Sequence, residues 1–144
     1  MRMADVQTGS AFNGPEGRES GTGQLASRIA ASGYASSDVT IVAISHLHAD
    51  HINRLMDGDR PVFSQARHVV GQAEWDYWTA ADVSGKPAAM HATAIQRKIL
   101  PLREKMTFIG ADASIAPGVT SMVAAGHTPV TWRSYWNRQG AACC

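Results

Sequence analysis

The chain has 144 residues, 44% of them hydrophobic and 17% charged, with a formal net charge of +1. This is one globular domain with enough apolar material for a core, and a near-neutral balance without a basic cluster argues against nucleic acid as a partner. No apolar run approaches the ~20 residues that span a bilayer, and Met1-Arg2-Met3-Ala4-Asp5 opens no apolar signal segment, so no membrane partner and a cytoplasmic location are expected.

Residues 4–9 are too short to assign. Residues 10–23, rich in Gly, Ser, Pro and Asn, read as a loop. Gln24 to Ser32 predicts an amphipathic helix, with Leu25, Ile29 and Ala30 at helical spacing and Gly33 as the residue that closes it. Ser36-Ser37-Asp38 turns the chain into Val39–Ile44, a run dominated by β-branched residues that reads as a buried strand. Directly after it stands Ser45-His46-Leu47-His48-Ala49-Asp50-His51.

Ile52 to Met56 is expected to begin a helix, and Asp57-Gly58-Asp59 marks a turn. Pro61-Val62-Phe63 leads to a strand at His68-Val69-Val70, then to a helix from Gln72 to Trp78. Trp75 and Trp78 are three apart and share a helix face, where they pack in the core or wall a substrate pocket. Residues 79–88 form a loop, and Ala89 to Lys105 reads as mostly helical, with Ile95, Ile99 and Leu102 on one side and Pro101 as an interruption. His91 and His68 read as surface histidines. Met106–Ile109 and Val119–Val123 predict strands separated by an Ala116-Pro117-Gly118 turn, followed by Gly126-His127-Thr128-Pro129. The only cysteines, Cys143 and Cys144, are adjacent, and a disulfide between them would be strained.

The run at 46–51 carries the chemistry. His46 and His48 are two apart, so on an extended backbone they point the same way. Asp50 and His51 follow where the chain turns toward a helix. Three of the six histidines lie here. Imidazole nitrogen and carboxylate oxygen within six residues suit Zn²⁺ or a similar borderline metal, and the lack of a nearby Cys excludes a thiolate finger.

His46-x-His48-x-Asp50-His51 after a hydrophobic strand resembles the metal motif of the metallo-β-lactamase-fold hydrolases, and Glu74-Trp75-x-x-Trp78 is similar to their lactonase-like and organophosphate-hydrolase-like branches. The resemblance covers roughly residues 5–129. It implies an α/β fold, a partial αββα sandwich with a mixed sheet flanked by helices. It implies that the histidine of Gly126-His127-Thr128-Pro129 is the next metal ligand. Two Zn²⁺ ions occupy the intact family's site. His46, His48 and His127 would complete the first position; Asp50 and His51 would contribute to the second.

The departures from the pattern are specific. Gln7 stands where the family carries an Asp in a strand ending Asp-Thr-Gly, and the family's earlier strands are absent, so the chain is expected to begin partway into the domain. Asn53 and Arg54 replace two glycines after Ile52 and would crowd the loop beside the site. After Pro129 the family continues Gly-His and then an apolar strand. Here residues 130–144 are rich in Trp, Arg and Cys and contain neither Asp nor His, so the remaining second-site ligands are missing. With one G placed before the Val130 codon, the shifted frame through Arg133 permits Gly-His followed by an apolar residue and Ala. The expectation is therefore a domain over 1–129 and a frameshifted, non-native tail over 130–144. Coding DNA that does not encode Gly-His and an apolar run in the shifted frame would overturn it.

The resemblance implies hydrolysis by a metal-bound hydroxide, with Asp50 orienting the water or passing a proton to the leaving group. Low charge and the Trp75/Trp78 pair favour a small neutral ester or lactone. The alternative is a catalytically impaired or inactive metal-binding fragment. A sandwich lacking strands at both ends leaves open sheet edges and uncovered apolar surface, so self-association is also expected.

Overall fold

The computed structural model describes residues 3–5, 25–80, 92–128 and 131–136. Gln7, the 10–23 loop, most of the 79–88 loop, His91, Pro129 and the cysteine pair lie outside them.

The first sheet is assembled from β1 (Met3–Asp5), β2 (Ile41–Ile44), β5 (Arg67–Gly71) and β6 (Met106–Ile109), in that order and parallel throughout. Its register aligns Val42 with His68 and Met106, and Ile44 with Val70 and Phe108. Side chains alternate along each strand, so this row faces one layer and the intervening row the other. Val42, Ile44 and Val70 join a core cluster with Leu47, Ile52, Leu55, Trp75, Trp78, Ile95, Ile99 and Leu102. Ile41, Ala43 and Val69 pack instead on Ile115, Ala116 and Val119. A strand covered on both faces needs a continuous apolar run, which is why Ile41–Ile44 is buried at every position.

The second sheet is β7 (Ser114–Ala116), β8 (Val119–Val123) and β9 (Trp132–Trp136), antiparallel, with Gly118 at φ +76° in the β7–β8 turn. The described residues thus stack as helices, first sheet and second sheet. Residues past the boundary expected at 129 form β9, paired with β8 from Val123–Trp132 to Val119–Trp136. No helix among the described residues is long and apolar enough to cross a membrane.

Helix α1 spans Leu25–Ala31. Gly33, at φ +81°, donates its amide to the Ala30 carbonyl at 2.9 Å, and the Tyr34 amide reaches the Ile29 carbonyl at 3.2 Å. The left-handed residue closes the helix as its sequence predicts. Leu25 and Ile29 pack on the core, but Ala30 is exposed. Helix α3, Gln72–Thr79, follows β5 directly.

Several expectations are corrected. The helix expected from Ile52 is instead α2, Ala49–Ile52, ending where the expected one begins. Met56–Asp57 (β3) then pairs with Arg60–Pro61 (β4) in a hairpin around Gly58, φ +55°. Ile52, Leu55 and Met56 are all buried, and a turn seats all three where a continuous helix is not needed. The stretch expected to be mostly helical up to Lys105 is helical throughout its described residues, from 92 on, with a π turn over Ile95–Ile99 followed by a 3-10 turn over Leu100–Lys105. Pro101 has no amide to donate to the carbonyl four residues back, so α-type bonding cannot continue through it. Ile95, Ile99 and Leu102 are nevertheless buried together, as their spacing predicts.

His68 is not a surface histidine. Its side chain is fully buried, in the row facing the helices, and neither ring nitrogen has a hydrogen-bond partner. It sits on an interior strand of a sheet covered on both faces, so alternation sends it inside. Burial, reinforced by the Lys105 charge, lowers its pKa to about 4.

Candidate metal centre

The site begins where β2 ends. Ser45 leaves the strand, and its hydroxyl meets His46 Nδ1 at 3.1 Å, which turns Nε2 the other way. Leu47 is fully buried and anchors the loop. His48 is still extended (φ −68°, ψ 148°) as the residue preceding α2, so His46 and His48 flank a buried Leu with their rings on one side. Their ring centroids are 4.8 Å apart.

The third histidine comes from the far end of the chain. After β8 the backbone turns through Gly126, at φ +136°, whose amide donates to the Thr128 carbonyl at 3.1 Å. A side chain at that φ would be strained; glycine lets the turn deliver His127. Its ring centroid lies 4.7 Å from that of His46 and 4.8 Å from that of His48. His48 Nδ1 and His127 Nε2 face each other at 3.1 Å. One ligand-type nitrogen from each of the three rings falls within 4.8 Å of the others. Among the described residues this is the one group of three or more His, Cys, Asp or Glu side chains so arranged. His46 is buried, His48 half-buried and His127 exposed, so the cluster opens to solvent on the His127 side.

The donor set fits a zinc-type ion. A tetrahedral zinc ion holds nitrogen ligands about 3.3 Å apart, close to the His48–His127 spacing. The buried His46 Nε2 has no hydrogen-bond partner, a costly state for a polar atom unless something else satisfies it. Burial lowers the His46 pKa to about 4, aided by His51, His48 and His127 and opposed by Asp50. The ring is therefore neutral at pH 7, the form that binds a metal.

Asp50 and His51 lie next to this cluster on α2. The His51 ring centroid is 4.0 Å from that of His46. Asp50 Oδ2 stands 3.6 Å from His51 Nε2, and the Asp50 side chain is 41% exposed. Among the described residues these two belong to no second group of three. Trp75 and Trp78 both lie in the core cluster. Trp75 packs edge-on against Phe108 at 4.9 Å, whereas the Trp78 ring backs His48 at 5.3 Å and 77°.

Sequence reasoning assigned no role to Glu74, which is fully buried on α3. Its Oε1 accepts the Leu47 amide at 2.9 Å and the Trp78 indole N–H. Its Oε2 accepts the Thr128 hydroxyl at 2.9 Å. Thr131, past the expected boundary, completes the arrangement: its hydroxyl accepts the Thr128 amide at 2.9 Å and lies 2.5 Å from the Thr128 hydroxyl. The available signal was a carboxylate four residues before a Trp on an otherwise inward face. The donors that bury it lie far away in sequence.

No protein-family model matches the sequence, and no curated protein matches it either. Solved structures do. A dizinc quorum-quenching lactonase, AidC, in complex with a product, superposes with a TM-score of 0.71 at 23% identity, over 81% of this chain and 44% of its own. AbOPH, a hydrolase in the β-lactamase superfamily, gives 0.68 at 23%, over 76% and 40%. A Thermotoga maritima protein assigned to the metallo-β-lactamases gives 0.54 at 16%, over 82% and 52%.

The chain carries part of the metallo-β-lactamase fold. It spans about half or less of the length of these three structures. Within that shared fold the histidine cluster lies at the end of a first-sheet strand and is met from the second sheet by the turn after β8.

Proposed function

We propose that this chain is a metal-dependent hydrolase of the metallo-β-lactamase fold, with zinc held by His46, His48 and His127 and a small neutral ester or lactone as substrate. The observation that carries the reading is the convergence of three histidines from two distant loops around the unpartnered, buried His46 Nε2. The likeness to AidC, a dizinc lactonase, supports it.

A zinc ion there would supply a water with pKa near 7 and would polarise the scissile carbonyl or phosphoryl oxygen. The chain's own residues do the rest. His46, buried and neutral, provides the least solvated nitrogen, and His127, exposed, marks the side from which substrate enters. Asp50, partly exposed beside His51, is the acid–base group that orients the water or hands a proton to the leaving group.

A second reading, a metal-binding chain without turnover, is favoured by one observation. Asp50 and His51 join no second ligand group among the described residues. Zinc content by mass spectrometry, measured with lactone and ester hydrolysis on the same sample, separates the two. Bound zinc with turnover, whether one ion or two, supports the hydrolase. One ion without turnover supports the second reading, and no bound zinc removes both.

A further inference from the structure

We propose that Glu74 is the positioning residue of the histidine cluster: a single buried carboxylate that holds the two ligand-bearing loops against each other and so sets metal affinity. The inference rests on His46, His48 and His127 being the ligands.

The apolar packing of Ile41, Ala43 and Val69 with Ile115, Ala116 and Val119 presses the two sheets together, but it is non-directional and does not by itself align the two loops. His48 and His127 are 79 positions apart, and the strands they follow, β2 and β8, belong to different sheets with no ladder between them. Glu74 spans that gap. Oε1 takes the amide of Leu47, the residue between His46 and His48. Oε2 takes the hydroxyl of Thr128, the residue after His127. The Trp78 indole also donates to Oε1 while its ring packs against His48. One carboxylate thus holds the backbone between His46 and His48, the side chain next to His127 and the wall behind His48. Outer contacts of this kind orient ligands and raise metal affinity.

The donors differ in a way that makes the idea specific. The two at Oε1 are N–H groups with fixed protons, so that atom must remain an acceptor. The one at Oε2 is a hydroxyl, which can reverse. A glutamine at 74 can keep its amide oxygen at the Oε1 position and donate its NH₂ to Thr128 Oγ1. The Thr128 proton then turns to Thr131 Oγ1, 2.5 Å away. Glu74→Gln therefore preserves the link between the loops, whereas Glu74→Leu removes it.

The test is Zn²⁺ affinity of the full chain, by competition with a chromophoric chelator, alongside the visible spectrum of the Co²⁺ form and the melting temperature of the metal-free form. Glu74→Leu is expected to lose about tenfold to a hundredfold in affinity and to alter the Co²⁺ spectrum, while Glu74→Gln stays close to the parent. Thr128→Val cuts the link from Glu74 to the His127 loop, and with it the hydroxyl contact to Thr131, but keeps the Thr128 amide bond to Thr131; it should weaken binding in the same direction and should not add to Glu74→Leu. It also decides the matter if Glu74→Leu does not fold. A merely structural carboxylate would lower the metal-free melting temperature and leave affinity and spectrum unchanged in Glu74→Leu and Thr128→Val. That result overturns the proposal and leaves the ligand assignment standing, provided that His127→Ala abolishes binding. A parent chain that binds no Zn²⁺, or a His127→Ala variant that binds as well as the parent, overturns both.

Discussion

Two buried histidines, one just after β2 and one on β5, share burial and a depressed pKa and differ in what surrounds them. His46 and His68 both have pKa values lowered to about 4, with burial as the first cause. Both carry a ring nitrogen without a partner. Around His46 the other imidazoles converge from His48, His51 and His127. Around His68 stand Val42 and Met106 in register, with the Lys105 charge near enough to be felt. Burial and a depressed pKa therefore do not mark a ligand. What sets His46 apart is the convergence of several donors on one point, the arrangement that three- or four-fold metal ligation would need.

The comparison breaks most visibly on metal binding. His127→Ala should cost more than the about hundredfold typical of contacts outside the ligand set, whereas His68→Leu should leave Zn²⁺ affinity unchanged in the same chelator titration. Equal losses from the two would mean that the His46 cluster is no more a metal site than the core around His68.

A smaller effect follows from His68 alone. Its folded pKa of about 4 lies below the ordinary 6.5, so the unfolded chain takes up the proton first as pH falls. Its contribution is intact above pH 6.5, declines between 6.5 and 4, and is flat below that, by about 2 kcal/mol at pH 5 relative to pH 7. Denaturant melts of the metal-free chain at both pH values should show His68→Leu losing that much less than the parent. Identical losses would remove His68 as a cause of acid sensitivity.

The smallest expected effect tests the wall behind His48. Trp78→Phe keeps a ring in place but deletes the indole N–H given to Glu74, worth about 1 kcal/mol net. Zn²⁺ affinity should fall several-fold, well short of the His127→Ala loss. An effect as large as that of a ligand would make Trp78 more than a backing for His48.

These contrasts also mark how far the sequence could be read. The run at 46–51 was legible because strand, loop and donors are contiguous, so spacing alone carries the geometry. His127 was legible through the order of segments that resembles the metallo-β-lactamase pattern. The strands at 41–44, 67–71, 106–109 and 119–123 and the helix at 72–79 followed from apolar periodicity and their breakers. The Met56–Pro61 hairpin and strand Ser114–Ala116 did not, because two or three residues hold too little periodicity to stand out.

By itself, then, the sequence determined the α/β class, the order of most elements, and the four candidate ligands in one short run with a fifth downstream. The run and the single elements depend on residues close together or on the alternation of side chains along one strand, whereas the fold class and the fifth candidate, His127, came with the resemblance to the metallo-β-lactamase pattern. Only the tertiary structure decided that His68 is interior, that Trp75 and Trp78 join the core, and that Glu74 ties the Leu47 loop to the Thr128 loop. These outcomes depend on which segments meet across the sheets, and burial or satisfaction of a polar group is a property of that meeting rather than of any local stretch.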